Sequence, residues 1–363
     1  MIVVAILYFG IAVWLSLYSL NALFLTLLHL RQRRRAATPA LPDIGAWPEV
    51  VVQLPIYNEK YVATRLIDAV CRLRYPRDRL EIQVLDDSTD ETAALVARAV
   101  RRWRQRGVRI AQHRRADRRD YKAGALHAGL AHATADYIAI FDADFVPPAD
   151  WLQRTMAHLL QPGNERVGMV QTRWGHLNGD YSILTRAQAL ALDGHFGVEQ
   201  NARATGGLLF NFNGTAGIWR RACIDEAGGW SGSTLSEDLD LSYRAQLAGW
   251  RMHYDAQIVA PAEVPAQLVA FKRQQFRWAK GSIQVARLRL AGLWRSELSL
   301  WQKVQATLHL TAYAVHPLMV LLLLLTPPLL WFGWPAALAD QAALLGATSL
   351  AGLSAPCLYA VAQ

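Results

Sequence analysis

An α/β domain on a doubly wound sheet, flanked by membrane-spanning helices, is the architecture this sequence predicts, and three observations predict it. Short apolar runs rich in strand formers alternate with helical stretches from Glu49 onward, the pattern of strands joined by crossover helices. Successive runs end in polar groups: Tyr57 to Glu59 after the first, Asp86 and Asp87 after the second, Asp142 and Asp144 after a later one. Ligands of open α/β sheets gather at that edge. Long apolar stretches stand outside this alternating region, at residues 1–30 and again beyond residue 300.

Taken in order, residues 1–30 are almost wholly apolar, and about 20 apolar residues are enough to cross a bilayer. A cleaved signal would open on basic residues and carry a shorter apolar core. Here the cluster Arg31, Arg33, Arg34 and Arg35 follows the run. The positive-inside rule then puts the amino terminus outside and the rest of the soluble part in the cytoplasm. A transmembrane anchor over 1–30 is expected, followed by a basic linker over 31–48 whose prolines 39, 42 and 48 resist helix.

The alternating region starts with a strand from Glu49 to Leu54 and a helix from Lys60 to Leu73. A strand from Glu81 to Leu85 ends in Asp86-Asp87-Ser88-Thr89-Asp90, where Ser88 or Asp90 can cap a helix running to Arg106. A strand from Val108 to Ala111 leads into an arginine-rich loop and Tyr121-Lys122-Ala123-Gly124. Tyr137 to Ile140 is a short buried strand, Asp150 to Leu160 a helix, Val167 to Thr172 a strand and Arg186 to Arg203 a helix. The glycine-broken stretch Phe210 to Gly217 suits close approach of backbone to a ligand. Ser236 caps a further helix, and residues 265–281 form another. Residues 282–300 alternate Arg287, Arg289 and Arg295 with Leu288, Leu290, Leu293 and Trp294, an amphipathic helix for the membrane face. Second and third spans are expected over 304–333, with Pro317, Pro327 and Pro328 as kinks, and over 336–361.

Composition removes several alternatives. The cysteines at 71, 223 and 357 are too far apart for a zinc site and odd in number, so buried thiols in a reducing setting are expected. The net charge of +9 is concentrated in an arginine belt from 98 to 119. No RNA-recognition or helix-turn-helix signature accompanies it, so it reads as a solvated or lipid-facing surface and not a nucleic-acid site. Asp193, His195 and Glu199 invite a metal reading, but their spacing does not put all of them on one helical face.

Phe141-Asp142-Ala143-Asp144-Phe145 carries the chemistry. Two carboxylates one residue apart repel unless a cation lies between them, and a hard divalent ion with diphosphate oxygens suits the pair. With the other two strand ends, they offer places for a nucleotide base, a ribose and a metal-bound diphosphate. Gln274, Arg277 and Trp278 share a helical face, and amide, guanidinium and indole together suit a sugar-diphosphate and a stacked sugar ring.

The ordered set Leu54–Glu59, Leu85–Asp90, Tyr121–Leu126, Phe141–Phe145, Phe212–Gly217, Ser236–Asp238 and Gln274–Trp278 resembles the processive family-2 glycosyltransferases. With Leu192 to Gln200 it is similar, more closely, to the cellulose-synthase-like A-type mannan and glucomannan synthases. The resemblance spans residues 49–285. It departs at Ser236, where cellulose synthases carry threonine, and at the unusually basic segment Arg114 to Asp120.

The resemblance implies a GT-A-type nucleotide-sugar-binding sheet over 49–281. It implies base contacts from Tyr57 and Glu59, base and ribose contacts from Asp86 and Asp87, and a diphosphate-binding Lys122. Asp142 and Asp144 would hold donor and a magnesium or manganese ion, Asp238 would be the general base, and Gln274, Arg277 and Trp278 would close over donor and acceptor. One base opposite the leaving nucleotide fits inversion and a β-linked product. The expected activity is polymerisation of a β-linked hexose from GDP-mannose or UDP-glucose. The alternative within transferases adds one sugar to a lipid acceptor. A phosphatase using D-x-D, or a non-catalytic membrane scaffold, would leave Asp86, Asp87 and Trp278 without a task. A polymer channel would call for an oligomer or for further membrane helices.

Overall fold

The computed structural model describes residues 1–32, 47–333 and 352–363. The chain forms two compact units. One comprises Met1–Arg35, Leu190–Leu208 and Leu298–Gln363; the other comprises Ala36–Ala189 and Leu209–Glu297.

The second unit is built on seven strands in the order β3-β2-β1-β4-β6-β5-β7. The strands are β1 Val50–Ile56, β2 Leu80–Asp86, β3 Ile110–His113, β4 Tyr137–Ile140, β5 Val167–His176, β6 Gly217–Arg220 and β7 Arg251–Ala262. β1 pairs in parallel with β2 and with β4, so the strand order reverses direction at β1/β4, the place where such sheets bind ligands. β1 and β4 are buried on both faces and apolar apart from Gln53, which bonds Gln83 on β2, as expected of central strands covered on both sides. Two helices, Ala63–Val70 and Thr92–Gln105, turn Leu66, Ile67, Val70, Val96, Val100 and Trp103 into the core. Arg98, Arg101, Arg102 and Arg104 stand exposed on the outer face of the second of these. The expected solvated belt is therefore present, although Arg115 and Arg118 turn inward.

The sheet is mixed, which corrects a plain doubly wound reading. β6 runs antiparallel to both β4 and β5, while β5 and β7 are parallel with an irregularity after Thr172. Neither β6 nor β7 was expected: β6 is four residues long, and β7 contains Pro261 and Asp255, which weaken a strand pattern. Another helix, Tyr121–His132, follows the arginine-rich loop. The helices here named α9 (Glu237–Leu247) and α10 (Leu268–Arg295) close this unit. α10 is one uninterrupted helix of 28 residues, so the boundary expected between 281 and 282 does not exist; Gly281 is accommodated because it packs against α9.

In the first unit, helix Ile2–Gln32 carries exposed Ile2, Ile6, Leu7, Trp14 and Leu17. The span expected over 304–333 is divided. Leu300–Leu310 is a separate helix opened by a Ser299–Gln302 capping box, and Val315–Phe332 follows a short turn, with Pro327 and Pro328 inside it. Ile2–Gln32 and Ala312–Phe332 are long and apolar enough to cross a membrane. The expected helical segment 186–203 is present without a gap, although its winding becomes π-helical at Gly194–Gln200, and Leu190–Leu208 belongs to this unit. Tyr18 bonds Thr311 at 2.8 Å and Asn201 bonds His29 at 3.0 Å. Residues 33–46 of the expected linker and 336–351 of the expected third span lie outside the described residues; Ser354–Ala362 is helical.

Candidate active site

The site grows from the carboxyl ends of β1, β2 and β4. Register aligns Ile56 with Asp86, whereas β4 ends at Ile140, opposite Gln53. Asp142 and Asp144 therefore leave the sheet beside the end of β1. The segment is held on both sides: the Asp142 N–H donates to Thr215 Oγ1 at 2.9 Å and the Val146 N–H to Pro261 O at 2.8 Å.

Antiparallel β6 explains why the glycine-broken stretch stands here. Its pairing of Gly217 with Ile140 lays Phe212 to Ala216 along Asp142. Gly214 has φ +83°, and a Cβ there would lie 3.0 Å from Asp238 Oδ2 and 3.4 Å from Lys122 Nζ. Glycine is required for both reasons. Lys122 Nζ bonds Gly214 O at 3.0 Å and pairs with Asp142 Oδ1. Lys122 and Asp238 thus converge on one bare backbone position, and Asp142 joins them through its pair with Lys122.

Electrostatics in this cleft is unbalanced towards acid. Burial, then Glu237, pushes Asp238 up to about 7 against the pull of Lys122. Burial, then Asp142, raises Asp144 to about 7. Glu59 is raised by burial and Asp142, with Arg277 opposing; Glu237 is raised by burial, with Lys122 and Arg277 opposing. Burial alone would lower Lys122, but Asp142, Glu237 and Asp238 raise it. Arg277 on exposed α10 therefore acts on the same cleft as β1 and α9. Gln274 and Trp278 are half-buried on its face of the helix.

At β2 the acids are satisfied by protein. Asp86, fully buried, accepts from the Ser88 N–H at 2.9 Å and from Gln112 Nε2 at 2.7 Å. Asp87 is paired with Arg115, whose Nε lies 3.0 Å from Oδ1. The Arg118 guanidinium sits 3.1 Å from the centroid of the Tyr57 ring. Sequence reasoning missed Thr215, Glu237, Arg115 and Arg118. Only the glycines around Thr215 gave a signal, because the others act through contacts across the fold.

The residues fit a divalent ion. Among the described residues no cluster of three His, Cys, Asp or Glu forms a metal site, so two carboxylates alone would leave most of a hard cation's shell to phosphate and water oxygens. The elevated Asp144 is a group that a cation would relieve.

Comparison with known proteins agrees with this geometry. The chain is 40% identical over 289 residues to glucomannan 4-beta-mannosyltransferase 1 of Oryza sativa subsp. japonica, covering 77% of this chain and 55% of that protein. It is 43% identical over 265 residues to glucomannan 4-beta-mannosyltransferase 9 of Arabidopsis thaliana, covering 72% and 49%. It spans about half the length of these curated relatives. Among solved structures, the mannosyltransferase PcManGT from Pyrobaculum calidifontis, in complex with GDP-Man and Mn2+, matches with TM-score 0.67 and 24% identity. That match covers 98% of this chain and 97% of PcManGT and supports a GT-A-like mixed α/β fold. Residues 48–281 match the family model described as glycosyltransferase like family 2, and the chain belongs to that family.

Proposed function

We propose that the chain is a membrane-bound inverting hexosyltransferase that polymerises a β-linked mannan from GDP-mannose. The convergence of Lys122 and Asp238 on Gly214, with Asp142 paired to Lys122, carries this reading. Asp142 and Asp144 would hold a magnesium or manganese ion, which supplies charge neutralisation on the diphosphate. Lys122 and Arg277 add positive charge where the leaving nucleotide becomes more negative. Asp238, poised near neutrality by burial, takes the proton of the acceptor hydroxyl; a base is most effective with a pKa near working pH. Tyr57, Glu59, Asp86 and Asp87 form the nucleotide wall, and Gln274 and Trp278 bound the glycan acceptor. The curated relatives, named as mannosyltransferases, favour mannose as the sugar.

The decisive experiment supplies membranes bearing the chain with labelled GDP-mannose or UDP-glucose and digests the product with β-mannanase or cellulase. Incorporation from GDP-mannose into a β-mannanase-sensitive polymer is expected; no incorporation from either donor would overturn the reading. The arginines that follow the first apolar run support a cytoplasmic sheet unit by the positive-inside rule. Protease added to sealed right-side-out vesicles should leave it intact, and cleavage there would reverse the orientation.

A further inference from the structure

We infer that Asp240 and Arg289 form a positioning lock that fixes α10, and with it Gln274, Arg277 and Trp278, against the helix carrying the base. The inference rests on the proposed transferase reading and extends it to residues outside the reacting cleft.

Asp240 lies two residues after Asp238 on α9 and is fully buried. Its Oδ1 accepts from Arg289 Nε at 2.6 Å and its Oδ2 from Arg244 Nε at 2.9 Å. Arg244 is itself bonded to the carbonyls of Ala227 and Gly229. One carboxylate oxygen therefore belongs to α9's own surroundings, and the other is given entirely to α10. Two further contacts bring the same helices together. The Leu235 N–H donates to Gln284 Oε1 at 2.9 Å. A Cβ on Gly281 would stand 2.0 Å from Ser236 Oγ and 2.9 Å from Ser236 N, so α10 backbone presses on the residue just before Glu237-Asp238.

Positions 274, 277, 278, 281, 285 and 289 follow one helical stripe. The lock and the closing residues thus share one rigid face of one helix. Buried charged pairs add little net stability against apolar replacements but fix register, and register between α9 and α10 sets where Trp278 and Arg277 stand relative to Asp238. Arg289 touches no reacting atom; it is a positioning residue.

The test is a double-mutant cycle on the full chain in membranes, using Trp278→Ala, Arg289→Met and the double variant, with donor affinity and transfer rate measured for each. Met keeps length without charge, and Asp240 retains Arg244. Arg289→Met should bind donor within about twofold of wild type and transfer roughly tenfold more slowly. In the Trp278→Ala background its further cost should fall below about threefold, because both changes remove the same positioning. Arg289→Lys should recover most of the rate. Full additivity in the cycle, or an unchanged rate in Arg289→Met, would overturn the lock. If Arg289→Met fails to bind donor, Arg289→Gln, which shortens the side chain and removes its charge, is taken through the same cycle, and additivity there would overturn the lock equally. A Trp278→Ala variant with wild-type transfer would instead defeat the assignment of the closing residues, which is a failure of the functional reading itself.

Discussion

Two groups of carboxylates stand on the same edge of the sheet and are treated in opposite ways. At the end of β2, Asp86 and Asp87 are consumed by the Ser88 amide, Gln112 and Arg115. Beyond β4 and at the start of α9, Asp142, Asp144, Glu237 and Asp238 crowd around Lys122, and Asp144 and Asp238 are pushed up to about 7. The first group is finished by the fold. The second is held in a state that costs stability and is relieved only by a cation, a proton or a ligand. Changes in the β2 group should accordingly show in stability and donor binding, and changes in the second group in turnover.

The largest effect should come from removing metal. Transfer should disappear in excess chelator and return with magnesium or manganese, whereas full activity in metal-stripped enzyme would exclude an ion at Asp142 and Asp144. Next, Asp238→Asn should lower turnover by roughly 10²–10⁴-fold, the range of a positioned base, with donor affinity near wild type. An acid serving only the helix dipole would cost well under ~1 kcal/mol on the same change, and turnover would hardly move.

Third, Arg115→Leu should strand Asp87 in a buried position and lower stability by roughly 1.5–3 kcal/mol, read as a fall in melting temperature at pH 7. An unchanged melt would dissolve the distinction between the two groups.

The last effect has the opposite sign. A carboxyl group raised by burial contributes its full stability below its unfolded pKa of about 3.9 and loses it as pH rises through about 7. Asp238→Asn removes that loss. The variant should therefore melt above wild type at pH 8, with the gap closing by about pH 4. Wild-type turnover should fall as pH drops below about 7, because the base must be ionised. A variant that melts below wild type at pH 8 would show that the charge is stabilised in place.

Much of this was legible before any coordinates. An apolar run followed by an acid marks a strand end by itself, which is why Tyr57, Glu59, Asp86, Asp142 and Asp144 could be placed at one edge. β6 was not legible: Gly217-Ile218-Trp219-Arg220 is too short for an alternating pattern, and its antiparallel direction is set by pairing with β4 and β5. The engagement of Asp87 by Arg115 was hidden for a related reason. Twenty-eight residues separate them, and a charged loop carries no mark of which arginine turns inward. The continuity of α10 was obscured by Gly281, which looks like a helix end until its contact with Ser236 is seen.

The antiparallel strand also sets an order of events during synthesis. Between β5 and β6 the chain leaves the sheet unit to contribute Leu190–Leu208 to the other unit, and only afterwards returns to slot β6 between β4 and β5. β1 to β4 can pair without that excursion, but Thr215 and Gly214 arrive with β6, and Asp238 later still. Pairing across such long stretches of sequence is slow because loop closure precedes its reward. In pulse-labelled refolding, amides of β1 and β2 should gain protection before those of β6. Donor binding should appear with the later phase, so that a chain stalled halfway holds most of a sheet and no means of using it.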